Sequence, residues 1–206
     1  MRRFSAAAVI LLLSAVSAGC GNWSGFGFRA DSPEMSRLRQ VLALEAGKVV
    51  ADVGAGKGEL TFALAKEVGS SGRVFATDID PERLRRIREK VVAGRLGNVT
   101  VLEGAGSETG LPPSCCDAIV LRRVYHHLTD PSGINASLLR ALRPGGVLAI
   151  IDFPPPLFFS RGEFGVPPKS VSSEVTASGF ELLRAIDDWP GRGPLGTYCM
   201  VFRKPS

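Results

Sequence analysis

The sequence predicts an α/β fold: a parallel sheet core with helices on both faces, held in one domain. Three observations predict it. Short apolar runs alternate with helix-period segments from Val49 to Ile151, the β-α-β order that a parallel sheet requires. The first apolar run ends in an acid and a glycine-rich turn, Asp52-Val53-Gly54-Ala55-Gly56-Lys57-Gly58. The second ends in another acid, Asp78, 20 residues after Gly58. At 206 residues the chain can bury one sizeable core. With 45% hydrophobic and 22% charged residues it is composed as a globular protein, not a disordered one. The net charge of +5 is scattered, and Arg83, Arg85, Arg86 and Arg88 read as one solvated helix face without interleaved aromatics.

The leading segment reads as targeting rather than fold. Met1-Arg2-Arg3 is basic, Ala6 to Val16 is apolar, and Ser17-Ala18-Gly19-Cys20 closes the run with small residues. The run is too short to span a bilayer comfortably. Residues 1–20 are therefore expected to be an export signal. Ala18-Gly19-Cys20 resembles the end of a bacterial lipobox, whose cysteine is lipidated and becomes the new N-terminus, although Ser17 departs from its usual large aliphatic residue. Simple cleavage after Ala18 stays open. The domain is accordingly expected to be exported or held at a membrane through Cys20, and cytoplasmic if the leader is not a working signal. Residues 21–33 read as a tether, followed by a domain over residues 34–206.

The elements follow in order. Asp31-Ser32-Pro33-Glu34 is a helix-start signature, and Leu38, Val41, Leu42 and Leu44 form the apolar stripe that Gly47 ends. Strand Val49–Val53, the glycine turn, and a helix over Leu60–Val68 come next. Strand Val74–Thr77 leads to Asp78-Ile79-Asp80-Pro81, with Asp80 expected to cap a helix over Pro81–Val92. Val99–Glu103 is the third strand and Ala118–Leu121 the fourth, the latter apolar throughout, as a strand covered on both faces should be. A helix over Ser137–Leu142, a turn at Arg143–Gly146 and a strand over Val147–Ile151 complete the alternation. Leu157–Val166 reads either as a lid or as a packed surface loop. A helix from Pro167 to Ala177 and two strands, Phe180–Ile186 and Thr197–Arg203, close the chain as an antiparallel pair.

The chemistry concentrates at the first turn. Glycines at 54, 56 and 58 allow a tight turn and close backbone approach to a ligand. Glu59 stands where a dinucleotide fingerprint needs a third small residue, and Lys57 is followed by Gly58, so no Walker-type ending is present. A carboxylate at the end of the second strand can accept hydrogen bonds from both hydroxyls of a ribose. Histidines occur only at 126 and 127 and there is no C-x-x-C, too few ligands at suitable spacing for zinc. Cys115, Cys116 and Cys199 read as buried small apolar residues; adjacent cysteines rarely pair, and a Cys115–Cys199 or Cys116–Cys199 disulfide stays open for an exported domain.

The run D-x-G-x-G-x-G at Asp52–Gly58 resembles motif I of the class I S-adenosylmethionine-dependent methyltransferases. Tyr125-His126-His127-Leu128-Thr129-Asp130-Pro131 is similar to the segment after strand four in the ubiquinone/menaquinone-biosynthesis-like C-methyltransferases, and Arg143-Pro144-Gly145-Gly146-Val147-Leu148 matches the family's R-P-G-G-x-L. The resemblance covers roughly residues 34 to 203. It implies a Rossmann-like sheet of seven strands and the use of S-adenosylmethionine as methyl donor for a small-molecule acceptor. Carried onto this chain, it implies that Asp52, Gly54, Ala55, Gly56 and Gly58 hold the methionine end. Asp78 would hold the ribose and Ile79 the adenine face, with Gly104, Ala105 and Leu121 beside them. Ala105 stands where relatives carry an acid for the adenine amino group, so Ser107 or Glu108 is expected to replace it. The His126–His127 pair could act as a general base or bind substrate, or one imidazole could pack under the donor while the other caps the helix. Tyr125 and His126 are the two expected to line the site, either of them as a base. No RNA-binding appendage or N-P-P-Y motif is present, which argues against nucleic acid as acceptor. Two other classes stay open: an exported, catalytically silent module binding a nucleoside-like ligand, and a nicotinamide-dependent oxidoreductase, against which Glu59 argues.

Overall fold

The structure is a computed structural model that describes residues 31–156, 165–191 and 196–206. The expected leader and most of the tether fall outside the described residues, as does residues 157–164 of the expected lid. Helix α1 (Pro33–Val41) starts where Ser32 Oγ accepts from the Met35 N–H at 3.1 Å, and it buries Met35 and Leu38. It stops short of Gly47 because Ala43 takes a left-handed φ of 46°. Strand β1 (Val49–Val53), helix α2 (Glu59–Val68), strand β2 (Arg73–Asp78) and helix α3 (Pro81–Ala93) follow. Asp80 caps α3 as expected, accepting from the Glu82 and Arg83 N–H groups.

Strand β3 (Val99–Glu103) and strand β4 (Cys116–Arg122) lead through a 3-10 turn at Tyr125–His127 into helix α4 (Pro131–Ala141). That helix begins six residues before Ser137, the expected start. Asp130 accepts from the Gly133 N–H and Pro131 occupies the first turn, a start signal that outweighs the poor helix formers Gly133 and Asn135. Strand β5 (Leu142–Asp152) absorbs the expected turn at Arg143–Gly146, because Gly145 N–H donates to Lys204 O and Gly146 O accepts from Lys204 N–H. Helix α5 (Pro168–Ala177), strand β6 (Glu181–Ile186) and strand β7 (Tyr198–Arg203) complete the chain.

The seven strands form one sheet in the order β3-β2-β1-β4-β5-β7-β6. β1 to β5 are mutually parallel, while β7 runs antiparallel to both β5 and β6. This is the expected α/β class and the expected seven-stranded sheet. One face packs Ile119, Leu121, Leu148 and Ile150 against Leu138 of α4 and Val171 of α5. The other packs Val50, Val120 and Ala149 against Met35 and Leu38 of α1 and Leu64 of α2. Each fully buried large aliphatic side chain contributes about 1.5–3 kcal/mol, so the two layers hold the sheet from both sides. Strand order reverses direction between β1 and β4, which leaves a crevice at their carboxyl ends.

The three described cysteines are free. Neither disulfide weighed from the sequence forms, because Cys115 and Cys116 belong to the α4/α5 face and Cys199 to the α1/α2 face. The sheet itself separates them.

Candidate active site

A cavity of about 550 Å³ lies at the carboxyl ends of β1, β2 and β4, within the size range of small-molecule sites. Its floor is the turn after β1. Gly54 and Ala55 donate their N–H groups to Thr77 O at 2.8 and 2.9 Å, tying the turn to β2. Gly54 has φ 74°, and a Cβ there would lie 2.3 Å from Val124 Cγ2, so only glycine fits between the turn and the segment after β4. Gly56 has φ 56°, and a Cβ there would meet only Gly54 O, at 4.0 Å, on the cavity wall. Gly58 lies just outside the lining and starts α2 with φ 78°.

Asp78 ends β2 at the cavity wall. Its Oδ2 accepts from the Gly56 N–H at 2.9 Å and its Oδ1 from the Asp80 N–H at 3.0 Å, while Arg83 Nη1 stands 3.7 Å from Oδ2. Two backbone N–H groups thus fix the carboxylate, and its remaining lone pairs are available to hydroxyls. Ile79 follows it, lines the cavity and is 67% exposed, an unusual position for a large aliphatic residue unless something apolar covers it. Gly104, Ala105 and Glu108 line the far wall. Ala105 directs its N–H to Glu108 O at 2.7 Å, and the Glu108 carboxylate pairs with Arg140 at 2.6 and 2.7 Å. Of the two replacements expected for the missing acid, Glu108 reaches the cavity.

Asp52 lies deeper. It is only 2% exposed and accepts from Thr61 Oγ1 at 2.6 Å. Burial pushes its carboxyl up from 3.8 to about 6, against the opposing pull of the Thr61 hydroxyl and the positive charge of Arg122.

The segment after β4 supplies the opposite wall, and here several expectations change. Leu121 is fully buried in the core under α4, with no surface in the cavity. Tyr125 is likewise fully buried; its hydroxyl donates to Glu174 Oε2 at 3.0 Å and accepts from Asn135 Nδ2 at 2.9 Å, pinning the turn to α4 and α5. His126 is 5% exposed, and Asp152 at the end of β5 holds it twice: through its backbone N–H at 3.1 Å and through Nδ1 at 2.8 Å. A carboxylate can only accept, which assigns the proton to Nδ1. His127 is the histidine that lines the cavity, its ring 3.9 Å from that of His126. The 3-10 turn makes the difference, since successive residues on it point in different directions.

Arg122 and Arg123 were not singled out by sequence, and both line the cavity. Arg122 forms a two-pronged pair with Glu34 of α1 at 2.9 and 2.8 Å, and Trp189 Nε1 donates to the same carboxylate at 3.3 Å. Arg123 takes φ 58°, rare for a residue with a side chain, and gives its N–H to Ile151 O at 2.7 Å. Burial and the neighbouring Arg122 lower its pKa. The available signal was position: both residues directly follow the apolar run of β4, at the sheet's carboxyl edge.

The residues present fit an S-adenosyl group. A carboxylate with lone pairs left to accept, an exposed aliphatic surface beside it and a glycine turn line one cavity.

Residues 51–150 match the methyltransferase domain family. The ubiquinone/menaquinone biosynthesis C-methyltransferase UbiE of Marinomonas sp. (strain MWYL1) is 33% identical over 114 residues, which is 55% of this chain and 45% of that protein. The chain thus spans about half the length of this curated relative. Among solved structures, an SAM-dependent methyltransferase from Aquifex aeolicus superposes with a TM-score of 0.72 at 26% identity, over 84% of this chain and 89% of that one. The cyclase SpnF superposes with a TM-score of 0.70 at 17% identity over 82% and 80% of the two chains, a likeness of fold. This chain therefore has a class I methyltransferase fold, and its residues 51–150 match the methyltransferase domain family.

Proposed function

We propose that this protein is an S-adenosylmethionine-dependent methyltransferase acting on a small-molecule acceptor. The observation that carries the reading is the Asp78–Ile79 corner. A carboxylate held by the Gly56 and Asp80 N–H groups stands next to an exposed aliphatic side chain, above a glycine turn, in one cavity. In this reading Asp78 takes the ribose hydroxyls, Ile79 the adenine face, and the turn from Gly54 to Gly56 with Asp52 behind it the methionine end. When bound, the donor supplies an electrophilic methyl on a sulfonium. The chain's own contribution is positioning: it holds the acceptor for in-line approach and keeps water out. The wall of Arg122, Arg123 and His127 is assigned to the acceptor. His127, backed by His126 and Asp152, is the group placed to take a proton where the acceptor must lose one. Similarity to the quinone-biosynthesis C-methyltransferases supports carbon as the acceptor atom.

Calorimetric titration with S-adenosylmethionine tests this directly. Wild-type protein is expected to bind with micromolar affinity. Asp78→Ala should lose at least about tenfold, since charge-assisted hydrogen bonds are worth about 1.5–3 kcal/mol. Absence of binding by folded wild-type protein would refute the donor site. It would favour the second reading, a silent module for another nucleoside-like ligand, which Ala105 at the adenine wall supports.

A further inference from the structure

We infer that Cys115 and Cys116 form a redox-active vicinal dithiol, remote from the cavity, that closes reversibly to an intramolecular disulfide on meeting a small-molecule disulfide. The placement of the two sulfurs carries this. Along β4, Ile119 and Leu121 face α4 and α5, while Ala118 and Val120 face α1 and α2. Strict alternation would send Cys116 to the same side as Ala118. The pairing with β5 is irregular here, Cys116 standing opposite Leu142 and Ala118 opposite Val147 with the extra residues in β5, and Cys116 lies on the α4/α5 face, where Cys115 also packs. Just before them, Ser114 takes a left-handed φ of 48° and is tied to Arg140 O at 2.9 Å. Two adjacent side chains that a regular strand would separate therefore converge, with their sulfurs 2.7 Å apart.

The two thiols are unequal. Cys115 is partly exposed and Cys116 fully buried. Cys116 and the positive charge of Arg143 pull the Cys115 thiol below its ordinary range, whereas Cys115 and burial push Cys116 up. Cys115 is the attacking group and Cys116 the resolving one. The Cys115 thiolate attacks the external disulfide, forming a mixed disulfide and releasing one thiolate. Cys116 then gives up its proton and attacks Cys115 Sγ, expelling the second external thiol. Two protein thiols are oxidised and one external disulfide is reduced to two thiols. Adjacent Cα atoms stand about 3.8 Å apart, below the usual ~4.4–6.8 Å of disulfides, so the ring is strained and easily reopened. Such a bond serves as a reversible redox site, not a staple.

The test uses the full chain exposed to oxidised glutathione, quenched with N-ethylmaleimide and digested with trypsin. The peptide Leu96–Arg122 holds Cys115 and Cys116 and no other cysteine. It is expected to emerge two hydrogens lighter and without maleimide, and to take two maleimides after dithiothreitol. Cys199, buried on the other face, should stay reduced and unreactive in the native protein. Cys116→Ser should accumulate glutathione on Cys115, while in Cys115→Ser the buried Cys116 should react at least about tenfold more slowly. Recovery of the wild-type peptide carrying two maleimides after oxidation, or Cys115 cross-linked to another chain, overturns the inference. So does oxidation that appears only together with modification of Cys199, since that marks an unfolded chain.

Discussion

Replacing Asp52 by asparagine isolates the electrostatic cost of a carboxylate the fold keeps out of water. Asp52 is 2% exposed, and burial raises its carboxyl from 3.8 to about 6. The folded state then binds the proton more tightly than the unfolded chain, so between about pH 4 and 6 it carries more protons and stability falls as pH rises. The contribution is fully present below the unfolded value and is lost as pH rises through the folded one. A rise of slightly more than two on the pH scale, at about 1.36 kcal/mol for each, sets the loss at about 3 kcal/mol. Asparagine is neutral and its carbonyl still accepts from Thr61 Oγ1. Asp52→Asn should therefore lie within about 0.5 kcal/mol of wild type at about pH 4 and exceed it by about 2–3 kcal/mol at about pH 8. Urea denaturation at the two pH values measures this. An equal effect at both, or a loss at the higher pH, would refute the assignment of the raised carboxyl to burial. Retaining an acid at this cost is the pattern of a site kept for function over stability.

Gly54→Ala combines a left-handed φ of 74° with a Cβ 2.3 Å from Val124, and should cost at least about 2 kcal/mol by denaturant midpoint. Adding Val124→Ala should recover the steric part and leave about 1–2 kcal/mol of backbone cost; no recovery would place the cost elsewhere. Tyr125→Phe removes a buried hydroxyl that joins Glu174 to Asn135 and should destabilise by about 1–3 kcal/mol without altering S-adenosylmethionine affinity, because Tyr125 does not reach the cavity. A selective loss of binding with unchanged stability would return Tyr125 to the site.

The strand and helix order was legible because its signals are local. Period, cap and turn chemistry each sit within a few residues, as Asp80 before α3 and the glycine turn before α2 illustrate. Asp52, Gly54, Ala55, Gly56, Asp78, Ile79, Gly104 and Ala105 do line one cavity, because each ends or follows a parallel strand and the sheet gathers those ends on one edge. The opposite wall was not legible. Which histidine of the pair faces inward depends on the phase of a 3-10 turn, which Tyr125 sets through contacts with α4 and α5. The Arg122–Glu34 pair joins residues 88 apart in sequence, and Glu34 alone reads only as a first-turn acid. The irregularity beside Cys116 lies in β5, where Arg143–Gly146 reads from sequence only as a turn, so the meeting of Cys115 and Cys116 appears only in three dimensions.

The clamp between Glu34 and Arg122 also orients the molecule relative to whatever is joined to its ends. It fixes the first turn of α1 to the cavity wall that Arg122 lines, at the carboxyl edge of the sheet. The last strand returns to the other edge, where Lys204 pairs with Gly145 and Gly146 beside the start of the parallel run of β5. A surface, resin or fused partner attached through the C-terminus therefore leaves the mouth of the cavity facing away from it.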